Sequence, residues 1–186
     1  MSQANTFQTI LNNKVTDHDV ILPIIAEHER QIRFSGFTAD SAFELGSTIR
    51  SLFLERYGSA GDKGIVIAIE LFNGHRLFSA VVGHSPAVAA GNWEWAHGKS
   101  NTVRKTSKSS LRVGVELAKG GKQPENSMLP FPEYACHGGG FPVWIKGVDV
   151  APIGVILVSG LPQLEDHQLI VDSIAKVSYL LADPSK

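Results

Sequence analysis

The feature that most constrains the fold is a pair of β-rich runs joined by Asn73-Gly74. This dipeptide is typical of a two-residue type I′ hairpin turn, because both residues tolerate a positive φ. The first run, residues 65–71, is apolar on both faces, so we expect it in the middle of a sheet with cover on each side. The chain therefore contains an antiparallel hairpin enclosed by other layers.

Periodic apolar patterns predict helices on both sides of this hairpin. One short helix is expected at residues 17–29, and a longer one follows the N-cap residue Thr38 and ends at Gly58. Residues 87–118 read as two helical pieces, with Gly91, Gly98 and Gly114 marking bends or breaks. A final helix opens at Pro162 and ends before Pro184.

Three further runs predict strands. Residues 30–37 alternate apolar and polar side chains, and the runs at 141–145 and 152–159 form a second hairpin. We therefore expect an α/β (α+β) fold, with an antiparallel sheet of about five strands flanked by helices. A chain of 186 residues favours one domain over residues 1–186, with a core at about 17–182 and a loosely ordered segment at 1–16.

Composition excludes several classes of protein. The formal charge of −1 argues against a nucleic-acid-binding surface, and no run approaches the length of a membrane span or a signal peptide. The single cysteine, Cys136, excludes an internal disulfide and cysteine-rich zinc sites. We expect a cytoplasmic location and no metal site of the compact zinc type.

Glycine-rich motifs are open to more than one interpretation. His137 to Gly140 spells HGGG, as in the oxyanion holes of some esterases, but no G-x-S-x-G motif accompanies it. The alternatives are a glycine-rich strand entrance and backbone that approaches a ligand closely. The GKS at residues 98–100 is not a P-loop, because the position that needs glycine is Trp93.

Residues 94–116 are locally basic, which usually indicates a solvated face. Trp95 and Lys99 nevertheless share a helical face, where an ammonium beside an indole could hold an anionic ligand; the alternative is that Trp95 fills the core. Cys136 and His137 are chain neighbours and point apart, so they do not form a catalytic dyad. The histidines are scattered singly, so the sequence has no compact metal-binding motif; one of them could still be a lone axial ligand to haem iron.

Three segments together resemble the haem-degrading-domain family, which includes GlcG-like proteins, HbpS-like proteins and the carboxy-terminal domain of PduO-type proteins. They are AHGKSNTV at 96–103, GGGFPVWI at 138–145 and PIGVILVSGLPQLEDH at 152–167. Within the family, the sequence is most similar to a branch of short single-domain proteins from bacteria and fungi. The resemblance covers about residues 20–182.

The resemblance implies a profilin-like sandwich, assembly into a ring or larger homo-oligomer, and a cleft between the middle helix and the second hairpin. It also implies binding of haem or a corrinoid. Some members of this branch are associated with tail-anchored-protein delivery complexes, which implies a protein partner.

Our first hypothesis is an oligomeric protein that binds a small anionic or tetrapyrrole ligand, with haem preferred. Its pocket residues are Trp95, Lys99, Asn101, Tyr134, His137, Gly138, Gly139, Gly140, Ser159 and His167. The second hypothesis is a non-catalytic ring that displays a surface to another protein. A third is a cofactor-independent enzyme in which His137 or His167 is the general base and Lys99 the electrophilic partner. The proline-rich loop at 119–137 is a candidate lid.

Overall fold

A computed structural model describes residues 7–58, 61–83 and 88–183. The helices are α1 (His18–Gln31), α2 (Ala39–Tyr57), α3 (Gly91–Thr106), α4 (Ser110–Lys119) and α5 (Gln163–Lys176). The strands are β1 (Gly64–Leu71), β2 (Arg76–Gly83), β3 (Gly140–Val143) and β4 (Gly154–Ser159). The strands form one antiparallel sheet in the order β2-β1-β4-β3. The expected α+β class and both hairpins are confirmed.

Helices cover both faces of the sheet. Ile65, Ile67 and Ile69 of β1 pack on one face in the cluster that contains α2 and α5. Ala68 of β1 packs on the other face with Val103 of α3. β1 lies between β2 and β4. It is apolar on both faces because it is a central strand with helices on each side, as the sequence indicated.

The first hairpin differs from the prediction in its turn. Gly74 has a φ of 101°, but Asn73 does not have a positive φ, so the turn is not type I′. The amide of Gly74 donates to the carbonyl of Leu71, and the amide of Leu71 donates to the carbonyl of His75. Three residues, 72–74, therefore lie between the hydrogen-bonded pair Leu71 and His75, with glycine at the position that needs a positive φ.

The prediction of a strand at residues 30–37 is wrong. Within the described residues the sheet has four strands. Phe34 makes only isolated bridges, one to Ile145 and one to Leu181. Ile32 and Phe34 are both fully buried, which explains the alternating pattern. An extended connector buries alternate side chains whether or not it pairs in a sheet.

The two helical pieces expected at residues 87–118 are confirmed as α3 and α4, but the reason differs. The break is at Ser107, which has a φ of 57°, and Ser109 then caps α4 by accepting a hydrogen bond from the amide of Arg112. Gly98 and Gly114 lie inside helices. A Cβ at Gly114 would overlap the carbonyl oxygen of Cys136, so this glycine permits close packing of the 119–137 loop.

The amino-terminal segment is described only from residue 7. The expectation of a loosely ordered stretch at 1–16 falls partly on residues 1–6, which lie outside the described ranges. Ile10 is fully buried, and its amide donates to Oε1 of Gln168 at 2.9 Å. The carbonyl of Gln8 contacts Nε2 of His28 at 2.7 Å. Residues 8–10 are therefore held against α1 and α5.

Candidate functional site

The junction between α3, β4 and α5 contains a buried ion pair. The ammonium of Lys99 donates to Oδ2 of Asp166 at 2.9 Å, to the carbonyl of Val158 at 2.9 Å and to Oγ of Ser159 at 3.2 Å. The Lys99 and Asp166 side chains are 3% and 2% exposed. An ammonium has three N–H groups, and all three have protein acceptors here. Lys99 therefore joins three elements and has no free hydrogen for an anionic ligand, in contrast to the sequence hypothesis.

Asp166 was missed as a site residue, because its position in the first turn of a helix is explained by the helix dipole alone. Its Oδ1 accepts a hydrogen bond from the amide of Leu161 at 3.0 Å. Burial raises the pKa of Asp166 to about 6, although the Lys99 ammonium acts in the opposite direction. A carboxyl with this pKa, placed in a cavity wall, can change its protonation state near neutral pH.

The three glycines of HGGG make room for the protein itself. A Cβ at Gly138 would overlap the carbonyl oxygen of Gln163, and one at Gly139 would overlap that of Val158. The amide of Gly140 donates to Oγ of Ser110 at 2.9 Å, and that of Gly138 to Oε1 of Gln163 at 3.4 Å. These contacts favour the interpretation as a glycine-rich strand entrance, and two of the three amides expected to bind ligand are already bonded.

A cavity of about 270 Å³ lies beside this junction. Its lining consists of Asn92, Trp95, Lys99, His137, Gly138, Ser159, Gly160, Leu161, Gln163 and Asp166. Lys99 and Asp166 form its buried side, whereas Trp95 and His137 are exposed. The structure thus brings five of the ten sequence-predicted site residues, on α3, β4 and the glycine segment, around one hollow.

The exposed side of the cavity is aromatic. The ring of Trp95 lies 4.5 Å from that of Phe131 and 5.0 Å, edge to face, from that of His137, measured between centroids. Trp95 is 36% exposed and Phe131 47% exposed. We call Trp95, Phe131 and His137 the aromatic shelf. Phe131 was not predicted, because it lies in a loop without a periodic pattern.

His137 is the reactive group of the shelf. Its imidazole has no hydrogen-bond partner among the described residues. Partial burial, followed by the positive charge of Lys99, lowers its pKa below the ordinary value. At neutral pH the ring is therefore uncharged, which is the form that ligates a metal or accepts a proton.

His167 does not line this cavity, although the sequence hypothesis placed it there. It is fully buried, and its Nε2 lies 3.3 Å from Nδ1 of His28. A carbonyl can only accept, so His28 carries its proton on Nε2 toward Gln8 and its Nδ1 accepts from His167. Nδ1 of His167 then carries a buried lone pair that no described residue contacts with a donor. An enzymatic role for His167 with Lys99 is not compatible with this placement.

Asn101 and Tyr134 also lie outside the cavity. Nδ2 of Asn101 donates to the carbonyl of Glu133 at 2.8 Å, and the ammonium of Lys105 lies 4.5 Å from the centre of the Tyr134 ring. Both contacts attach the 119–137 loop to α3. Gly139 and Gly140 are buried behind the cavity wall and do not line it.

The described ranges lack two further kinds of feature. They contain no group of three or more histidine, cysteine, aspartate or glutamate side chains placed to hold a metal ion. Among the same residues, no helix has the length and apolar character needed to cross a membrane.

A family model described as haem degrading protein HbpS-like matches residues 37–175. The chain belongs to this family. Relatives include a UPF0303 protein of Azotobacter vinelandii, 39% identical over 159 residues that span 84% of this chain and 89% of the relative. Another is a UPF0303 protein of Acidobacterium capsulatum, 34% identical over 160 residues, or 86% of this chain and 90% of the relative. The resemblance seen in the sequence is confirmed.

Solved structures support the same assignment. The Ybr137w protein is 33% identical, with a TM-score of 0.76 over 86% of this chain and 88% of that one. HbpS is 20% identical, with a TM-score of 0.56 over 76% and 89%. A PduOC–haem complex is 17% identical, with a TM-score of 0.57 over 75% and 94%. At these lower identities the similarity concerns the fold.

Proposed function

We propose that this protein binds a haem-type tetrapyrrole on the aromatic shelf, with the imidazole of His137 as the axial ligand of the iron. The observation that carries the proposal is the exposed His137 ring, which has no hydrogen-bond partner among the described residues and lies beside the exposed rings of Trp95 and Phe131. A tetrapyrrole is flat and largely apolar, so it can stack on such rings while a neutral imidazole binds the metal.

The size of the cavity indicates how such a ligand would lie. A volume of about 270 Å³ is just below the usual range for drug-sized ligands, roughly 300 to 1,000 Å³. The macrocycle would therefore rest on the shelf, and a peripheral substituent would enter the cavity. Within the part of the chain that the structure describes, Nδ2 of Asn92 donates only to the carbonyl of Ser159, at 3.3 Å, so its second N–H can meet a ligand carboxylate.

Family membership supports the choice of ligand. The matching model describes a haem-degrading protein, and the similar folds include HbpS and a PduOC–haem complex. In this proposal Lys99, Gly138 and Ser159 shape the cavity. Asn101 and Tyr134 affect it indirectly through their contacts in the 119–137 loop, and His167 through the core.

Assembly into a homo-oligomer belongs to the same proposal. β2 is an edge strand in the described sheet, and its residue Val81 is 58% exposed. Phe43 of α2 is 66% exposed and packs against Phe78 of β2 with 6.2 Å between ring centroids. An apolar edge of this kind is a site for pairing between chains. Sedimentation velocity tests it, and a monomer at micromolar concentration would contradict it.

We also propose a cytoplasmic location, since Cys136 is a buried free thiol and a reducing compartment keeps it so. Fractionation of cells that express the protein tests this point. A protein found outside the cytoplasm would contradict it.

Haemin titration of the purified protein tests the ligand. We expect a shift of the Soret band, saturating near one equivalent per chain, together with quenching of the fluorescence of the neighbouring tryptophan. The Trp95→Ala and Phe131→Ala variants should each weaken binding, because they remove stacking area from the shelf. No Soret shift at micromolar haemin would remove the tetrapyrrole proposal and would leave the protein-interaction ring as the next hypothesis, to be tested by pull-down and mass spectrometry.

A further inference from the structure

A second cleft lies between α3 and the hairpin of β1 and β2. It has a volume of about 580 Å³, inside the range typical of ligand pockets. Its lining consists of Glu70, Leu71, Phe72, Asn73, Gly74 and Arg76 of the hairpin and His97, Ser100, Asn101 and Arg104 of α3. None of these residues lines the cavity beside the aromatic shelf. The two sites are therefore separate.

The charges of this cleft favour an anion. Arg76 is paired with Glu70, whose Oε1 lies 2.7 Å from Nη2 and 2.8 Å from Nε. Ser100 also donates to Oε2 of Glu70, at 3.5 Å. Arg104 has neither an ion pair nor a hydrogen bond with any residue in the described ranges. The lining thus has two guanidinium groups and one carboxylate, which leaves one positive charge unmatched.

Aromatic rings position both guanidinium groups. The Cζ atom of Arg104 lies 6.0 Å from the centre of the Phe72 ring, and that of Arg76 lies 5.7 Å from the centre of the Trp93 ring. A guanidinium that rests on an aromatic face can still bind an oxyanion through its N–H edge. In Arg104 this edge has no partner in the described ranges, whereas Arg76 already donates from Nε and Nη2 to Glu70. Because the side chains are already held, less conformational entropy is lost when a ligand binds.

Neutral groups complete the cleft. His97 is exposed and has no partner among the described residues, and it lies one helical turn from Asn101 and two from Arg104 on α3. Nδ2 of Asn101 donates to one group in the described ranges, the carbonyl of Glu133, so one N–H remains. These side chains can contact polar groups of a ligand beyond its anionic end.

We propose that this cleft is a binding site for a small organic oxyanion, a carboxylate or a phosphate ester, anchored by Arg104. Arg104 binds two oxygens of the anion in the planar, bidentate manner of a guanidinium, and Arg76 is the second cation. Glu70 holds Arg76 in place and selects against ligands with a high negative charge.

Calorimetric titration of the full chain, without haemin and at low ionic strength, tests the site. The probes are succinate for the carboxylate class and glycerol 3-phosphate for the phosphate class, with glycerol as the neutral reference. We expect one of the two anions to bind and glycerol not to bind. The Arg104→Ala variant should weaken that binding by about tenfold or more, because a charge-assisted bidentate contact is lost.

The Arg50→Ala variant is the matched control. Arg50 is an exposed arginine of α2, so its removal changes the net charge equally without altering the cleft. Binding by the Arg50 variant should equal that of the unaltered protein. The proposal is overturned if neither anion binds at about 10 mM, a weak affinity on the scale of ligand binding, or if the Arg104 and Arg50 variants lose affinity equally.

Discussion

The ion pair between Lys99 and Asp166 should be among the most stability-sensitive contacts in the protein. In a Lys99→Met variant, the buried carboxyl of Asp166 loses the cation that lowers its pKa, and the Val158 carbonyl and Ser159 hydroxyl lose their donor. Breaking one partner of a buried pair costs about 3–5 kcal/mol. For a domain of this length each kcal/mol lowers the Tm by roughly 2–4 °C, so the Tm should fall by about 6–20 °C.

Urea unfolding followed by circular dichroism measures this change. The double variant Lys99→Met with Asp166→Leu should lose less stability than the single variant, because no unpaired carboxyl is left in the core. Lys108→Met is the control: its pair with Glu116 is partly exposed, and its loss should cost at most about 1 kcal/mol. A loss below about 1 kcal/mol for Lys99→Met, or a double variant less stable than the single one, would refute this reasoning.

The remaining predictions concern pH and packing. Burial lowers the pKa values of His28 and His167 below 6.5, so the unfolded chain binds more protons below that pH and the free energy of unfolding decreases as the solution is acidified. Replacing both histidines by leucine should reduce this pH dependence by up to about 1.4 kcal/mol per pH unit per histidine. Urea unfolding midpoints at pH 7 and pH 5 measure the change, and an unchanged pH dependence would contradict this prediction. Gly114→Ala should destabilise by about 1–3 kcal/mol, because its Cβ would overlap the carbonyl of Cys136, whereas Gly91→Ala meets nothing within 4 Å and should be neutral or slightly stabilising. Equal unfolding midpoints for the two alanine variants would show that the close packing is not required.

Local patterns predicted most of the secondary structure. Thr38 and Gly58 mark the ends of α2 because capping depends on residues close in sequence, and Thr38 accepts from the amide of Ser41. The apolar run of β1 indicated a central strand because a strand that is covered on both faces is apolar at successive positions. The stretch at residues 30–37 was misassigned because burial alternates there although Phe34 forms only isolated bridges. Continuous strand pairing depends on residues that are distant in sequence.

The site was predicted only in part. Trp95, Lys99 and His137 lie around one cavity, but the partner of Lys99 is Asp166, 67 residues away on another helix. No local pattern identifies such a pair. His167 was placed in the site although it pairs with His28, 139 residues earlier in the chain. Contacts between helices distant in sequence decide which polar side chains are structural.

The glycines show the same limit. Gly98, Gly114 and the HGGG segment were interpreted through their conformational freedom, as bends or as backbone open to a ligand. In the structure, the backbone of another segment approaches Gly114, Gly138 and Gly139 too closely for a Cβ. Gly98 and Gly140 are also tightly packed, with the nearest atoms 3.0 and 2.9 Å from the position of a Cβ. Sequence alone does not distinguish these roles, since both require only that the side chain be absent.

The most direct test of the account is the electron paramagnetic resonance spectrum and affinity of haemin bound to the unaltered protein, to His137→Ala and to His97→Ala. His97 is the control because it is also an exposed histidine of the same region, one that lines the second cleft instead of the shelf. We expect the His137 variant to lose the histidine-ligated iron signal and to bind haemin at least about tenfold more weakly, and the His97 variant to match the unaltered protein. An unchanged signal in the His137 variant, or its loss in the His97 variant, would contradict the assignment of the iron ligand.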